Sequence, residues 1–362
     1  MKSGFFRSFD GLSAIRVSSR GALFLCAGAA LLLSACNRST SVTFTGETMG
    51  TTYTVKVSRL PKDVDADQLR EEIDRRLIEI NQLMSNYQAD SELSRLNDFN
   101  DPEWMSVSAE MVFVLERARE VSEATGGGFD VTVGPVVRLW NFGPGREMGD
   151  RVPSDAEIEA MKEQVGFEKI ELRLDPPEVR KLRPDLEIDL SAVAKGFAVD
   201  EIEDLLLSHA VVDYMVEIGG EVQTGGWNDR GEPWNIAIEA PIAEIRQIHR
   251  VVPLTKMGMA TSGDYRNFYE IDGQRYSHII DPRSGHPVRH NLVSVTVLHP
   301  SCAIADAWAT ALLVLGPEEG FEVADGQRLA VLFIMRTEDG FETRETTRFT
   351  EVLQQMPDTN EE

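Results

Sequence analysis

The stretch Val293-Ser-Val-Thr-Val-Leu298, a turn through His299-Pro-Ser-Cys302, and then Ala303-Ile-Ala-Asp-Ala-Trp-Ala-Thr-Ala-Leu-Leu-Val-Leu315 decides the reading of this chain. Its first part reads as a short β-strand and its second as a helix. A further strand, Ala330–Met335, follows the helix. Moving towards the N-terminus, Asn267–Ile271, Arg250–Leu254, Trp234–Glu239 and Tyr214–Ile218 read as strands. Leu186–Leu190 is expected to be a strand feeding a helix from Ala192 to Leu207. In the first half, Thr51–Val57 alternates as a strand, and Val64–Met84 has helical spacing through Leu69, Ile73, Leu77, Ile80 and Leu83. Ser108–Thr125 is a second helix, with Met111, Val112, Leu115 and Ala118 on one face and Gly126-Gly-Gly128 as its stop. Ser154 caps another over Ser154–Val165. Strands and helices mix without regular βαβ alternation, which predicts an α+β fold with antiparallel sheets.

At 362 residues and 42% hydrophobic content, the chain can bury one large core or two modest ones. Its formal net charge is −24 and no basic stripe appears, which argues against a nucleic-acid partner. Lys2, Arg7, Arg16 and Arg20 precede an apolar run over Gly21–Leu33, too short to span a bilayer comfortably. That run ends in Leu33-Ser-Ala-Cys36, which resembles a bacterial lipobox. The reading is an export signal over 1–35, removed to leave Cys36 lipidated, with the alternative of an uncleaved anchor helix. The product would sit on the exported face of the cell membrane, periplasmic if the host is Gram-negative. Residues 36–45 are expected to be a tether, 46–355 a catalytic unit and 356–362 an acidic tail. Of the three cysteines only Cys302 remains inside the folded part, so no internal disulfide is expected and Cys302 reads as a buried, inert thiol.

Several blocks carry chemistry. Met49-Gly50-Thr51 and Met84-Ser-Asn-Tyr87 offer an apolar and aromatic surface for a fused ring system, or ordinary packing. Gly127-Gly-Phe-Asp-Val-Thr-Val-Gly-Pro135 is either a close-approach loop for a nucleotide or a helix cap and turn. Asp189-Leu-Ser-Ala-Val-Ala-Lys-Gly196 places a helix N-terminus and Lys195 where an anion could bind. In it, Asp189 can bond a ligand or cap a turn, and Lys195 can be a surface lysine. Ser277-His-Ile-Ile-Asp-Pro-Arg-Ser-Gly285 puts His278 beside a turn and near Arg283, as a proton acceptor or a hydrogen-bonded core histidine. Asp306 and Thr310, four apart on the Ala303–Leu315 helix, project oxygens from one face and suit Mg²⁺ better than zinc. The same spacing also fits an exposed Asp and a Thr bonding its own backbone.

Taken in order, these blocks, with Glu217-Ile-Gly-Gly-Glu221 and Thr261-Ser-Gly-Asp264, resemble the ApbE family, the FAD:protein FMN transferases. The resemblance implies a T-fold-like two-layer α+β unit. It implies that Met49, Tyr87, Phe129, Asp130, Val131, Asp189, Lys195 and Ile280 line the FAD site. It implies Mg²⁺ held by the Ala192 carbonyl, Asp306 and Thr310, with His278 and Asp306 as catalytic residues. Some family members have Thr where this chain has Ser284, and Asp where it has Ala309; the second change removes one acidic group. The implied reaction is Mg²⁺-dependent transfer of FMN from FAD to a threonine hydroxyl of an exported flavoprotein, such as a membrane redox-complex subunit, with release of AMP. Two alternatives keep the same site: an FAD pyrophosphatase giving FMN and AMP, and a lipoprotein that binds FAD without chemistry.

Overall fold

The computed structural model describes residues 41–143, 151–242, 245–264 and 267–356. The leader 1–35, Cys36 and the tail from Pro357 onward lie outside them. Eight strands form one antiparallel sheet in which spatial order follows chain order: β1 (Val42–Thr48), β2 (Thr51–Val57), β3 (Tyr214–Ile218), β4 (Glu221–Gly225), β5 (Met257–Gly263), β6 (Leu292–His299), β7 (Ala330–Thr337) and β8 (Gly340–Glu345). β1 corrects the expected tether, since residues 42–45 pair with β2 in the register Val42↔Val57 to Thr48↔Thr51 and Phe44 is buried. Met49-Gly50 is the turn of that hairpin. Both residues have positive φ (50° and 71°), as a two-residue hairpin turn matching the strand twist requires.

Four helices cover one face of the sheet. Helix α1 (Ala66–Met84) starts where the Asp65 carboxylate accepts from the amides of Asp67 and Gln68, and it buries Leu69, Ile73, Leu77, Ile80 and Met84. Helix α2 (Ala109–Ala124) is capped by Ser108, and Gly126 and Gly127 reverse the chain after it at φ 57° and 81°. Helices α3 (Ala194–Ser208) and α4 (Cys302–Leu315) lie between α2 and the sheet's centre. Apart from Ile304 and Thr310, every residue of α4 is buried, so the run that reads as one apolar helix is the centre of the main core. The sheet's other face packs a second, smaller core against the hairpin Trp234–Glu239/Ile248–Leu254 and helix Thr347–Gln355.

A third cluster builds one wall of the site. Trp140, Tyr276, Tyr269 and Phe142 stack in file with centroids 5.5, 5.4 and 5.2 Å apart. Such offset pairs each contribute about 0.5–1.5 kcal/mol beyond their buried area. The Trp140 indole N–H donates to the Gly285 carbonyl at 2.8 Å and ties this wall to the turn after His278.

One further expectation is corrected. Leu186–Leu190 joins no ladder. Its Ile188 amide and carbonyl instead bond both ends of the Asn97 side-chain amide, at 2.8 and 2.9 Å. A side chain there stands in for a neighbouring strand, which hydrophobic pattern cannot reveal. The helix that follows, Ala194–Ser208, meets the expected span within two residues. Cys302 is a free, fully buried thiol, held well above its ordinary pKa by burial.

Candidate active site

The site is assembled where α3 and α4 touch. A Cβ on Gly196 would lie 2.4 Å from the Cys302 carbonyl oxygen, so glycine is what lets the two backbones meet. That approach places the Gly196 amide 3.1 Å from Asp306 Oδ2. The start of α4 is fixed by Asp200, whose carboxylate accepts from the Cys302 amide (2.7 Å), the Ala303 amide (3.0 Å) and the Ser301 hydroxyl (2.7 Å). Burial pushes the Asp200 carboxyl up to about 6, against those bonds.

Asp306 is buried, not exposed, yet it borders a cleft of about 440 Å³. One turn on, Thr310 Oγ1 lies 3.0 Å from Ser262 Oγ at the end of β5. Lys195 is no free surface lysine: its Nζ is 2.8 Å from Glu221 Oε2 and 3.8 Å from Asp306 Oδ2. Burial raises both carboxyls and the ammonium opposes it, while the two acids hold Lys195 above its ordinary value. Among the described residues no cluster of three or more His, Cys, Asp or Glu side chains is gathered as a metal cage. The oxygens present are nonetheless hard ones: the Asp306 carboxylate, the Thr310 and Ser262 hydroxyls, and backbone at Ala192, all on the same cleft. A buried carboxylate among hydroxyls fits a small divalent cation that keeps several waters.

His278 lines the same cleft. Its Nδ1 lies 2.9 Å from the Asn267 carbonyl oxygen, which can only accept. In the neutral ring Nδ1 therefore carries the proton and Nε2 the free lone pair. Burial lowers the His278 pKa, with Arg275 adding to it and the Asn267 bond and Asp264 opposing. The basic neighbour is thus Arg275; the expected Arg283 is instead paired with Asp281 and Glu319. Phe142 meets the His278 ring edge-on at 6.3 Å.

The remaining expected residues divide into groups. Phe129, Asp130, Asp189, Ala192 and Ile280 line the cleft. Asp130 also staples its own loop, accepting from the Thr132 amide and hydroxyl and the Phe167 amide. Asp189 accepts from the Ser191 amide at 2.8 Å, so it is a turn carboxylate and a cleft residue together. Val131 departs from expectation: it does not line the cleft, its side chain is buried in the main core, and it acts through its carbonyl, which accepts from the Asp189 amide at 2.7 Å. Met49 lies in an adjoining cavity of about 970 Å³, which shares Asn86, Tyr87, Ser191 and Lys195 with the cleft. Tyr87 is 75% exposed at that junction. Sequence reasoning assigned no role to Glu221, Ser262 or Phe142. The structure marks Glu221 as an acid opening a strand whose every residue is buried, which the polar sequence Glu-Val-Gln-Thr-Gly does not reveal.

The sequence model of the ApbE family matches residues 49–333. The chain belongs to the ApbE family. A relative from Vibrio cholerae called FAD:protein FMN transferase is 44% identical over 320 residues, covering 88% of this chain and 95% of its own. One of the same name from Haemophilus influenzae is 42% identical over 328 residues, covering 88% and 94%. Among solved structures, the flavin transferase ApbE from Vibrio cholerae superposes with a TM-score of 0.80 at 43% identity, over 86% of this chain and 99% of that one. The flavinyl transferase ApbE of Pseudomonas stutzeri gives 0.80 at 37% identity, over 88% and 98%. Ala309 and Ser284 lie outside the cleft: Ala309 is fully buried in the core, and the Ser284 hydroxyl accepts from the His286 amide.

Proposed function

We propose that this ApbE-family enzyme transfers the FMN half of FAD to a threonine hydroxyl of an exported flavoprotein and releases AMP. The observation that carries the reading is the meeting in one cleft of a neutral histidine, a lysine ammonium and the Asp306–Thr310 pair, walled by Phe129, Phe142 and Ile280. In the transfer, the threonine oxygen forms a bond to the FMN phosphorus while the bond from that phosphorus to the bridging oxygen breaks, and the oxygen leaves with its electron pair on AMP. His278 Nε2 takes the threonine proton, a role worth roughly 10²–10⁴-fold in typical enzymes. Lys195 steadies the diphosphate, and the aromatic and apolar wall holds the ring system and excludes water. Asp306, Thr310 and the Ala192 carbonyl would hold Mg²⁺, which when bound neutralises charge growing on the phosphate oxygens.

The lipobox-like Leu33-Ser-Ala-Cys36 supports attachment of the mature chain to the exported face of the membrane through a lipid on Cys36. The deciding experiment incubates the full-length chain with FAD, Mg²⁺ and an exported flavoprotein carrying the target threonine, and reads the acceptor's intact mass. A gain of one FMN, lost on chelation, is the expected result. Free FMN and AMP with an unchanged acceptor would replace transfer by hydrolysis.

A further inference from the structure

Glu221 plays no part in the transfer as set out above, yet it is among the most buried charged groups of the cleft. It opens β4 directly after the turn Gly219-Gly220, and is 3% exposed. Its carboxylate and that of Asp306 face one ammonium, at 2.8 and 3.8 Å. One ammonium faces two buried carboxyls, and burial raises both, so ionising the second is costly in a low dielectric unless a further cation is present. The turn makes the arrangement possible: at φ 61°, Gly219 leaves room where a Cβ would come within 3.3 Å of Lys195 Cδ and 2.8 Å of Thr51 Cγ2.

We propose that Glu221 is a second anionic residue of the cation site and the resting partner of Lys195. Without a divalent cation, Lys195 is held on Glu221 and Asp306. With a divalent cation bound, Asp306 and Glu221 would no longer depend on the ammonium, and Lys195 would be free to pair with the diphosphate of a flavin nucleotide. Cation and diphosphate then strengthen each other's binding through a single lysine, and by linkage the gain is reciprocal. This inference rests on the reading of the cleft as an FAD site.

The test uses ADP, a nucleoside diphosphate with no FMN to transfer, titrated by calorimetry onto the full-length chain with and without Mg²⁺. Mg²⁺–ADP pairing in solution is common to every protein variant, so it cancels when the enhancement is compared between variants. Wild type should bind ADP about tenfold tighter with saturating Mg²⁺ than without, within the usual range of coupling between sites. Glu221→Gln should bind ADP several-fold tighter than wild type in the absence of Mg²⁺, because Lys195 loses a competitor, and should show a smaller Mg²⁺ enhancement. A purely structural role would weaken binding in both conditions. Metal-free affinity in Glu221→Gln that is unchanged or weaker, or an undiminished enhancement, overturns the proposal. Lys195→Met keeps the question open to refutation if the first variant misfolds: it should lose most of the enhancement, and full enhancement there also overturns the proposal. A wild type that ignores ADP in both conditions does so as well, while the acceptor-mass assay reports separately on whether FMN transfer itself stands.

Discussion

The Gly196 amide donates to Asp306 Oδ2 at 3.1 Å, so a backbone group of α3 and a side chain of α4 hold each other at the floor of the cleft. The contact exists only because the two helices touch backbone to backbone at Gly196. Gly196→Ala would drive a methyl group to 2.4 Å from the Cys302 carbonyl. It should destabilise the fold by about 1–3 kcal/mol, the usual range for overpacking, as read by denaturant unfolding. A variant as stable as wild type would mean that the two helices separate freely.

Asp306→Ala should lower FMN transfer by at least about a hundredfold, in line with the loss of a charged group at a reacting phosphate. Flavin should still bind, since Phe129, Phe142 and Ile280 remain. Quenching of flavin fluorescence reports binding and acceptor mass reports transfer. Equal activity with Asp306 removed, or with Mg²⁺ chelated, would sink the metal assignment.

His278 is a base only while neutral, and burial lowers its pKa below the ordinary 6.5. kcat/KM should therefore rise with pH below about 6.5, as the ring loses its proton, and level off above it. His278→Ala should reduce kcat by about 10²–10⁴-fold and remove that acidic limb. A limb of the same shape surviving in the variant would assign the titration to another group.

Asn97 bonds Ile188 through both ends of its amide, one residue before Asp189. Asn97→Ala should loosen the Asp189 segment and raise the KM for FAD more than it lowers kcat. It should also destabilise the protein by about 1–3 kcal/mol, because two buried backbone groups lose their partners. Steady-state kinetics and a melting curve check both, and a kcat effect without a KM effect would place Asn97's influence elsewhere.

Much of the fold could be read directly, where local pattern and tertiary demand agree. The strands Tyr214–Ile218 and Trp234–Glu239 fall on the residues that their pattern marks, and α1, α2 and α4 match within two residues at either end. The first part of β1, residues 42–45, reads as tether; only pairing with β2 across the Met49-Gly50 turn makes it a strand. Leu186–Leu190 failed in the opposite sense, since its apolar alternation buries side chains without a strand beside it.

The sequence by itself determined the α+β class, the helix stops and caps, and, through the ordered motif blocks, the ApbE family. Those signals are local or depend only on residue identity. What only the tertiary structure decided is which charges meet: Lys195 with Glu221 and Asp306, His278 with the Asn267 carbonyl and Arg275 rather than Arg283, and Val131 through its carbonyl rather than its side chain. Gly196 and Asp306 stand 110 residues apart in the chain, and no periodicity extends over such a span. Burial and close approach, which set both the electrostatics and the hydrogen bonds of the cleft, arise only when the helices pack on the sheet.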